Sequence, residues 1–227
     1  MKPMVAADVL VSDLDRTFST EDLELDPDAL KAAEHLRKRG VRCVLATGRG
    51  FRVLSAHPLL TRAFDGFVLE GGAVWGTPGD WRLTKADLGA VHAVADALEA
   101  QRIPVRRRSA SCSIAIENAA ALAGIPASGQ CSLQRNRDRM DILPMGVDKG
   151  VGLRRLLESW GEPDARVVAV GDGENDLGLF AASTYTVAVA NAVPALRAAA
   201  DEVAPLPASQ GFAWVVRERL TPVPASA

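Results

Sequence analysis

Two aspartates, Asp13 and Asp15, stand two residues apart in "VSDLDRTFST" (11–20), where an apolar run ends, with Thr17 close behind. An ordinary turn needs one Asp at most, to bond its own backbone. Three more polar clusters follow other apolar or helical segments: Thr47, Gly48 and Arg49 in "TGR", Lys149 in "DKG", and Asp172, Asn175 and Asp176 in "GDGEND". Each has a plain explanation when taken singly. Asp-x-Asp after a strand suits a solvated turn, a lone lysine suits a surface, and "GDGEND" suits a helix cap in which Asp172 or Asn175 accepts from free backbone N–H groups. The last cluster also fails as a dinucleotide loop, because its sixth residue is Asp176 and not Gly. All four in this order are much harder to dismiss. They point to a catalytic site.

The elements between the clusters have to bring them together. "DVLVS" (8–12), "VRCVLATG" (41–48), "FVLEGG" (67–72), "RVVAVGDG" (166–173) and "TVAVAN" (186–191) read as short buried strands. Helical patterns alternate with them at 26–40, 51–60, 149–160, 193–200 and 211–220. The first of these helices has Asp26 and Pro27 as its start and Gly40 as its stop. Strands separated by helices imply a parallel sheet with right-handed crossovers, and ligands of such sheets bind beyond the carboxyl ends of the strands. The four clusters occupy that rim.

The rhythm changes between about 77 and 146. A helix is expected over 87–101, an extended "IPVRRR" after it, an alternating strand at 111–117 with Cys112, Ile114 and Ile116 on one face, a short helix at 118–124 and a strand at 139–144. The predicted fold class is α/β: a Rossmann-like, doubly wound parallel-sheet core formed by residues 1–76 and 147–227, with a smaller α/β cap inserted at 77–146. The tail "TPVPASA" is expected to fray.

Composition narrows the class without naming an activity. The chain has 227 residues, ample for a buried core, with 48% hydrophobic and 24% charged residues. A formal charge of −2 recruits neither nucleic acid nor an anionic membrane. No apolar run approaches the roughly 20 residues of a membrane span, and Asp8 interrupts what would be a signal-peptide core. Cys43, Cys112 and Cys131 are odd in number and share no metal-ligand spacing, which suits a reduced cytoplasm. His35, His57 and His92 lie on predicted helices without partner spacing and receive no role.

"DLDRT", "TGR", "DKG" and "GDGEND", with an insertion between the second and third, resemble the haloacid dehalogenase superfamily of aspartate-nucleophile phosphatases. The insertion is similar to its α/β-capped branch, which includes Cof-type, sucrose-phosphatase-like and archaeal-type phosphoglycolate phosphatases. "LEGGA" (69–73) and "VANAVPALRAAADEVAP" (189–205) resemble secondary signatures of the same family. The resemblance implies a Mg²⁺-dependent phosphatase acting on a small phosphorylated metabolite, either a sugar phosphate or phosphoglycolate.

A phosphate monoester is an anion, so attack on it by a carboxylate needs a cation between them, and Mg²⁺ prefers oxygen ligands. The implied roles are Asp13 as nucleophile and metal ligand, and Asp15 as general acid and base with its backbone carbonyl on the metal. Thr47, Gly48, Arg49 and Lys149 would hold the phosphoryl oxygens. Asp172 and Asp176 would complete the metal site, with Asn175 orienting the group. Three positions depart from the family pattern: Arg16 where Gly is usual, Phe18 where an aliphatic residue is usual, and Gly71 where related caps often have Asn.

Residues 101–140 hold seven arginines and two acids, Glu117 and Asp138. This is either an arginine-rich solvated face or a basic lid for a second anionic or hydroxyl-rich group of the substrate. Arg106, Arg107, Arg108, Arg135, Arg137 and Arg139 cannot all enter one cleft, because alternate strand residues face opposite sides. Aromatics are few there, so nucleic acid is not an expected partner, nor is a membrane. A monomer or a homodimer is expected. A phosphomutase on the same scaffold, or a receiver-like phosphoacceptor module without turnover, is the competing reading. Asp15 and the large insertion argue against the module, since a stable phosphoryl signal needs neither a built-in base nor a lid.

Overall fold

The computed structural model describes residues 4–222. Its larger sheet has eight strands, in the order Glu202–Val203, Tyr185–Ala188, Val167–Gly171, Val9–Asp13, Arg42–Ala46, Gly66–Leu69, Val74–Thr77 and Asp80–Leu83. The first six pair in parallel, and the last two form an antiparallel hairpin at one edge. Successive strands run outward in one direction from Val9–Asp13 and in the other from Val167–Gly171. These two neighbours therefore flank the point where strand order reverses, where a crevice opens at their carboxyl ends. Both are buried at every position, which is why each reads as an apolar run and not as an alternation. The doubly wound α/β expectation holds.

Local chemistry fixes the flanking helices. Asp26 caps helix Pro27–Lys38 by accepting from the Asp28 N–H, and the helix buries Ala29, Ala32, Ala33 and Leu36. Helix Lys149–Trp160 starts on Asp148, whose carboxylate accepts from the Val151 N–H, and stops at left-handed Gly161. Its first turn lies hard against the larger sheet. A Cβ on Gly72 would sit 1.9 Å from the Asp148 carbonyl oxygen, so only glycine permits that approach. Phe18 is fully buried, edge-on to Phe64 and Phe212, so the family departure there is a packing change.

A second sheet is antiparallel, in the order Arg106–Arg107, Cys112–Ala115, Arg139–Pro144, Cys131–Asn136. Helix Gly89–Ala100 covers one face, and Val91, Val94, Leu98, Cys112, Ile114 and Ile142 form a separate apolar cluster between them.

Several expectations are corrected. A boundary at 77 assigned Asp80–Leu83 to the insertion, but this strand pairs with Val74–Thr77 and extends the larger sheet. The helix expected over 51–60 is two pieces, Arg52–Ala56 and Leu60–Ala63, broken where Pro58 forces His57 out of helical geometry. Residues Ile116–Gly124 form 3₁₀ turns, taking Ile116 out of the strand shared by Cys112 and Ile114. Strand Cys131–Asn136 was not predicted, because its exposed polar residues hide the alternation. Of the tail expected to fray, Thr221 and Pro222 continue a strand from Leu220 that pairs with Val5–Ala7, while 223–227 lie outside the described residues. Residues 1–3, the start of the segment weighed as a signal peptide, lie outside them too. Among the described residues no helix is long and apolar enough to cross a membrane.

Candidate active site

Asp13 ends the central strand and sits at the floor of a cavity of about 330 Å³ between the two sheets. The turn after it, Leu14–Phe18, reverses through Arg16, which has φ +60°. A side chain in this left-handed region is strained by roughly 1 kcal/mol. That strain accounts physically for the glycine usual at this position. Arg16 is among the residues lining the cavity.

Three carboxylates converge here. Oxygens of Asp13, Asp172 and Asp176 lie within 4.8 Å of one another, all three side chains being buried. Lys149, also fully buried, donates to Asp13 Oδ1 at 2.5 Å and to Asp176 Oδ1 at 2.6 Å. The other Asp176 oxygen accepts from the backbone N–H groups of Asp172 and Gly173, each at 3.0 Å. Thr17 Oγ1 donates to Asp172 Oδ1 at 3.1 Å. Thr17 thus serves the loop holding Asp172.

Charge in this cluster is unevenly met. Burial, reinforced by Asp176, Asp172 and Asp15, holds the Asp13 carboxyl well above the usual carboxylate range, against the pull of Lys149. Burial and the Asp176 charge likewise push Asp172 up to about 6, opposed by Arg137. Burial works to depress Lys149, but Asp13 and Asp176 outweigh it and keep the ammonium above its ordinary range. Lys149 and Arg137, which pairs with Asp172, bring two positive charges to three buried acids. A hard, oxygen-seeking divalent cation fits this donor set.

The remaining predicted residues fall into two groups. Asp15 and Gly48 line the cavity with Arg49, which grips Asp15 through two bonds, Nε to Oδ2 at 2.9 Å and Nη2 to Oδ1 at 2.6 Å. Thr47 and Asn175 are buried and do not appear on the cavity wall. Thr47 Oγ1 accepts from the Arg49 N–H at 3.1 Å, so it shapes the "TGR" turn.

Sequence reasoning missed how the insertion reaches the site. Arg137, at the tip of the hairpin joining Cys131–Asn136 to Arg139–Pro144 with φ +52°, donates from Nε to Asp172 Oδ2 at 2.8 Å and from Nη2 to the Asn191 carbonyl at 2.9 Å. Glu70 is buried, and its carboxylate accepts from Ser109 N, Ala110 N and Ser111 Oγ at 3.1, 2.7 and 3.2 Å. Asp141, also missed, is a buried acid on the cavity wall. The available signal was an acid inside the otherwise apolar strand end "DILP".

Comparison with known proteins gives the family of the chain. A family profile described as haloacid dehalogenase-like hydrolase matches residues 113–216. The chain is 30% identical over 217 residues to a phosphoglycolate phosphatase of Methanothermobacter thermautotrophicus, covering 90% of this chain and 95% of that one. It is 31% identical over 226 residues to a phosphoglycolate phosphatase of Halorubrum lacusprofundi, covering 93% and 97%. A haloacid dehalogenase-like hydrolase from B. subtilis superposes with a TM-score of 0.78 at 16% identity, over 93% of this chain and 99% of that one. With relatives at this identity covering nearly the whole of both chains, the chain belongs to the haloacid dehalogenase-like hydrolases and is an enzyme of their phosphatase type.

Proposed function

We propose that the protein is a Mg²⁺-dependent phosphatase that hydrolyses a small phosphorylated metabolite through an aspartyl-phosphate on Asp13. The observation that carries this reading is the buried triad Asp13, Asp172 and Asp176, of which Asp13 and Asp172 line the cavity, with Lys149 bonded to two of its members. The size and lining of the cavity support a compact anionic substrate. Phosphoglycolate, from the names of the full-length relatives, and a sugar phosphate are both candidates.

Asp13 and Asp172 would hold the ion through side-chain oxygens, Asp15 through its backbone carbonyl, and Asp176 directly or through water. When bound, Mg²⁺ supplies positive charge that lets a carboxylate approach a phosphate dianion. An Asp13 oxygen attacks phosphorus as the ester oxygen leaves, and Asp15 gives that oxygen its proton. Asp15 then takes a proton from water, which attacks phosphorus, breaks the Asp13 acyl-phosphate bond and releases inorganic phosphate. Lys149 and backbone donors of the Thr47–Arg49 turn stabilise the transferring oxygens. Asn175 orients the loop that holds Asp172. The smaller sheet and its helix act as a cap over the site.

Hydrolysis of p-nitrophenyl phosphate tests the reading directly. Activity is expected with Mg²⁺, is lost in EDTA and is lost in Asp13→Asn. Undiminished turnover by Asp13→Asn excludes the mechanism.

A further inference from the structure

Arginines outnumber acids on the cavity lining, where Asp13, Asp15, Asp138, Asp141 and Asp172 are the carboxylates. Arg16, Arg49, Arg106, Arg108, Arg137 and Arg139 all line the cavity. Three of these are matched: Arg49 to Asp15, Arg137 to Asp172, and Arg108 to Asp141 at 3.6 Å. Among the described residues Arg16, beside Asp15, has no carboxylate partner within ion-pair distance, and neither Arg106 nor Arg139 has one. Both belong to the smaller sheet.

Strand register explains why these side chains share a face. Ser113 is paired with Arg106 on one side and with Asp141 on the other, and Arg139 is two residues from Asp141. Period two therefore sends Arg106, Ser113, Asp141 and Arg139 to the cavity. It sends Arg107 the other way, where it bonds Glu99 and Asp96 of helix Gly89–Ala100.

At the centre of this face one neutral hydroxyl does the work of an anion. Ser113 Oγ accepts from Arg139 Nε at 3.1 Å, from Arg139 Nη2 at 3.0 Å and from Arg108 Nη2 at 3.3 Å. Two guanidiniums are thus held beside each other around a single uncharged acceptor. Burial, with repulsion from Arg106 and Arg108, lowers the affinity of Arg139 for its proton, as expected of crowded like charges. Two carboxylates, Asp141 and Asp138, line the same cavity and pull against that repulsion, neither within ion-pair distance of Arg139, and Asp141 is disfavoured in its charged form by its own burial. Planar guanidinium forks in this arrangement match the oxygens of a carboxylate or a phosphate.

We propose that Arg106, Arg108 and Arg139 form a second anion subsite, so that the preferred substrate is a compact phosphomonoester carrying another acidic group. The inference rests on the phosphatase reading above and narrows its substrate class. A phosphoryl group at Asp13 and an acidic tail at Ser113 would span the cavity. At about 330 Å³ it lies at the small end of ligand sites, which favours a few-carbon ester over a bulky sugar. Glu70 supports the subsite by fixing the 109–111 turn that follows Arg108.

The test compares kcat/KM for 2-phosphoglycolate, whose tail is a carboxylate, for a three-carbon diol bisphosphate, whose tail is a second phosphate, and for glycerol 3-phosphate, whose tail is neutral. The wild-type protein should favour one or both acidic tails over the neutral one, and the preferred ester tells carboxylate from phosphate. The acidic-to-neutral ratio should fall about 10- to 100-fold in Arg139→Gln and in Arg108→Gln, the range of one lost charge-assisted hydrogen bond or two. Exposed Arg106→Gln should lower the ratio in the same direction and provides a variant with little burden on folding. No acidic preference in the wild type, or a ratio untouched by all three substitutions, overturns the proposal. If no ester is turned over, the phosphatase reading has failed, and calorimetry decides the subsite by itself. Asp13→Asn protein in Mg²⁺ should then bind 2-phosphoglycolate more tightly than glycerol 3-phosphate, and equal affinities overturn the subsite.

Discussion

Lys149 Nζ lies 2.5 Å from Asp13 Oδ1, although the two residues are 136 positions apart and the whole insertion lies between them. The contact joins the first strand of the larger sheet to the helix that follows the smaller one. Removing one partner of a buried ion pair leaves the other uncompensated, at about 3–5 kcal/mol. Lys149→Met should therefore lower stability by that order in EDTA, read from urea unfolding, with part of the loss recovered in Mg²⁺. Turnover should fall ~10²–10³-fold, as for loss of other preorganised charge-stabilising donors. Unchanged unfolding curves in EDTA would show that the lysine does not compensate the triad.

Asp141 should reveal the opposite sign. Burial holds its carboxyl above the usual range, with Arg108, Lys149 and Arg139 opposing. A carboxyl raised in the folded state stabilises fully below its unfolded pKa and loses that contribution as pH rises through the folded value. At neutral pH the charged form is therefore a burden on the fold. Asp141→Asn should raise the Tm at pH 7–8 by about 2–4 °C per kcal/mol relieved. The gain should vanish below the ordinary aspartate pKa of about 3.9. A drop in Tm at neutral pH would mean that the pairing with Arg108 outweighs burial.

Glu70 ties the larger unit to the smaller one. Glu70→Ala leaves the Ser109 and Ala110 N–H groups without their acceptor, at about 1–3 kcal/mol for the buried Ala110 amide. Amide exchange should accelerate at these two residues more than in strand Val9–Asp13. KM should rise as the turn beside Arg108 loosens. Equal protection in variant and wild type would separate the turn from Glu70.

The cysteines should be inert until the chain unfolds. Cys43, Cys112 and Cys131 are all buried. Burial pushes the Cys112 thiol up to about 12 and raises Cys43 and Cys131 as well. Since the thiolate is the reactive form, maleimide at pH 7 should label none of the three in the native protein and all three in denaturant. Rapid native labelling would mean that the smaller apolar cluster opens readily.

Much of the site was legible because its members end locally recognisable elements. Val9–Val11 and Val167–Val170 are apolar runs closed by Asp13 and Asp172, and a strand end fixes where such a side chain emerges. Lys149 was legible only as one of four motifs in a set order, since a lone lysine at a helix start suits a surface. The split among Arg106, Arg107 and Arg108 was legible only as a rule: period two required it without saying which residues face the cavity. Register decided that, by setting Arg106 beside Ser113 and leaving Arg107 to Asp96 and Glu99.

Other relationships have no local signature. Arg137 meets Asp172 across 35 positions because a left-handed hairpin tip aims it out of one sheet and into the rim of the other. Asp80–Leu83 joined the larger sheet because an edge strand takes its identity from the partner it hydrogen-bonds, and its own residues are mostly exposed. The sequence alone determined which residues could do chemistry and which elements would present them, since periodicity, caps and strand ends act over a few neighbours. Only the tertiary structure decided which charges face one another, because that depends on the register and docking of two sheets whose contacts are far apart in the chain.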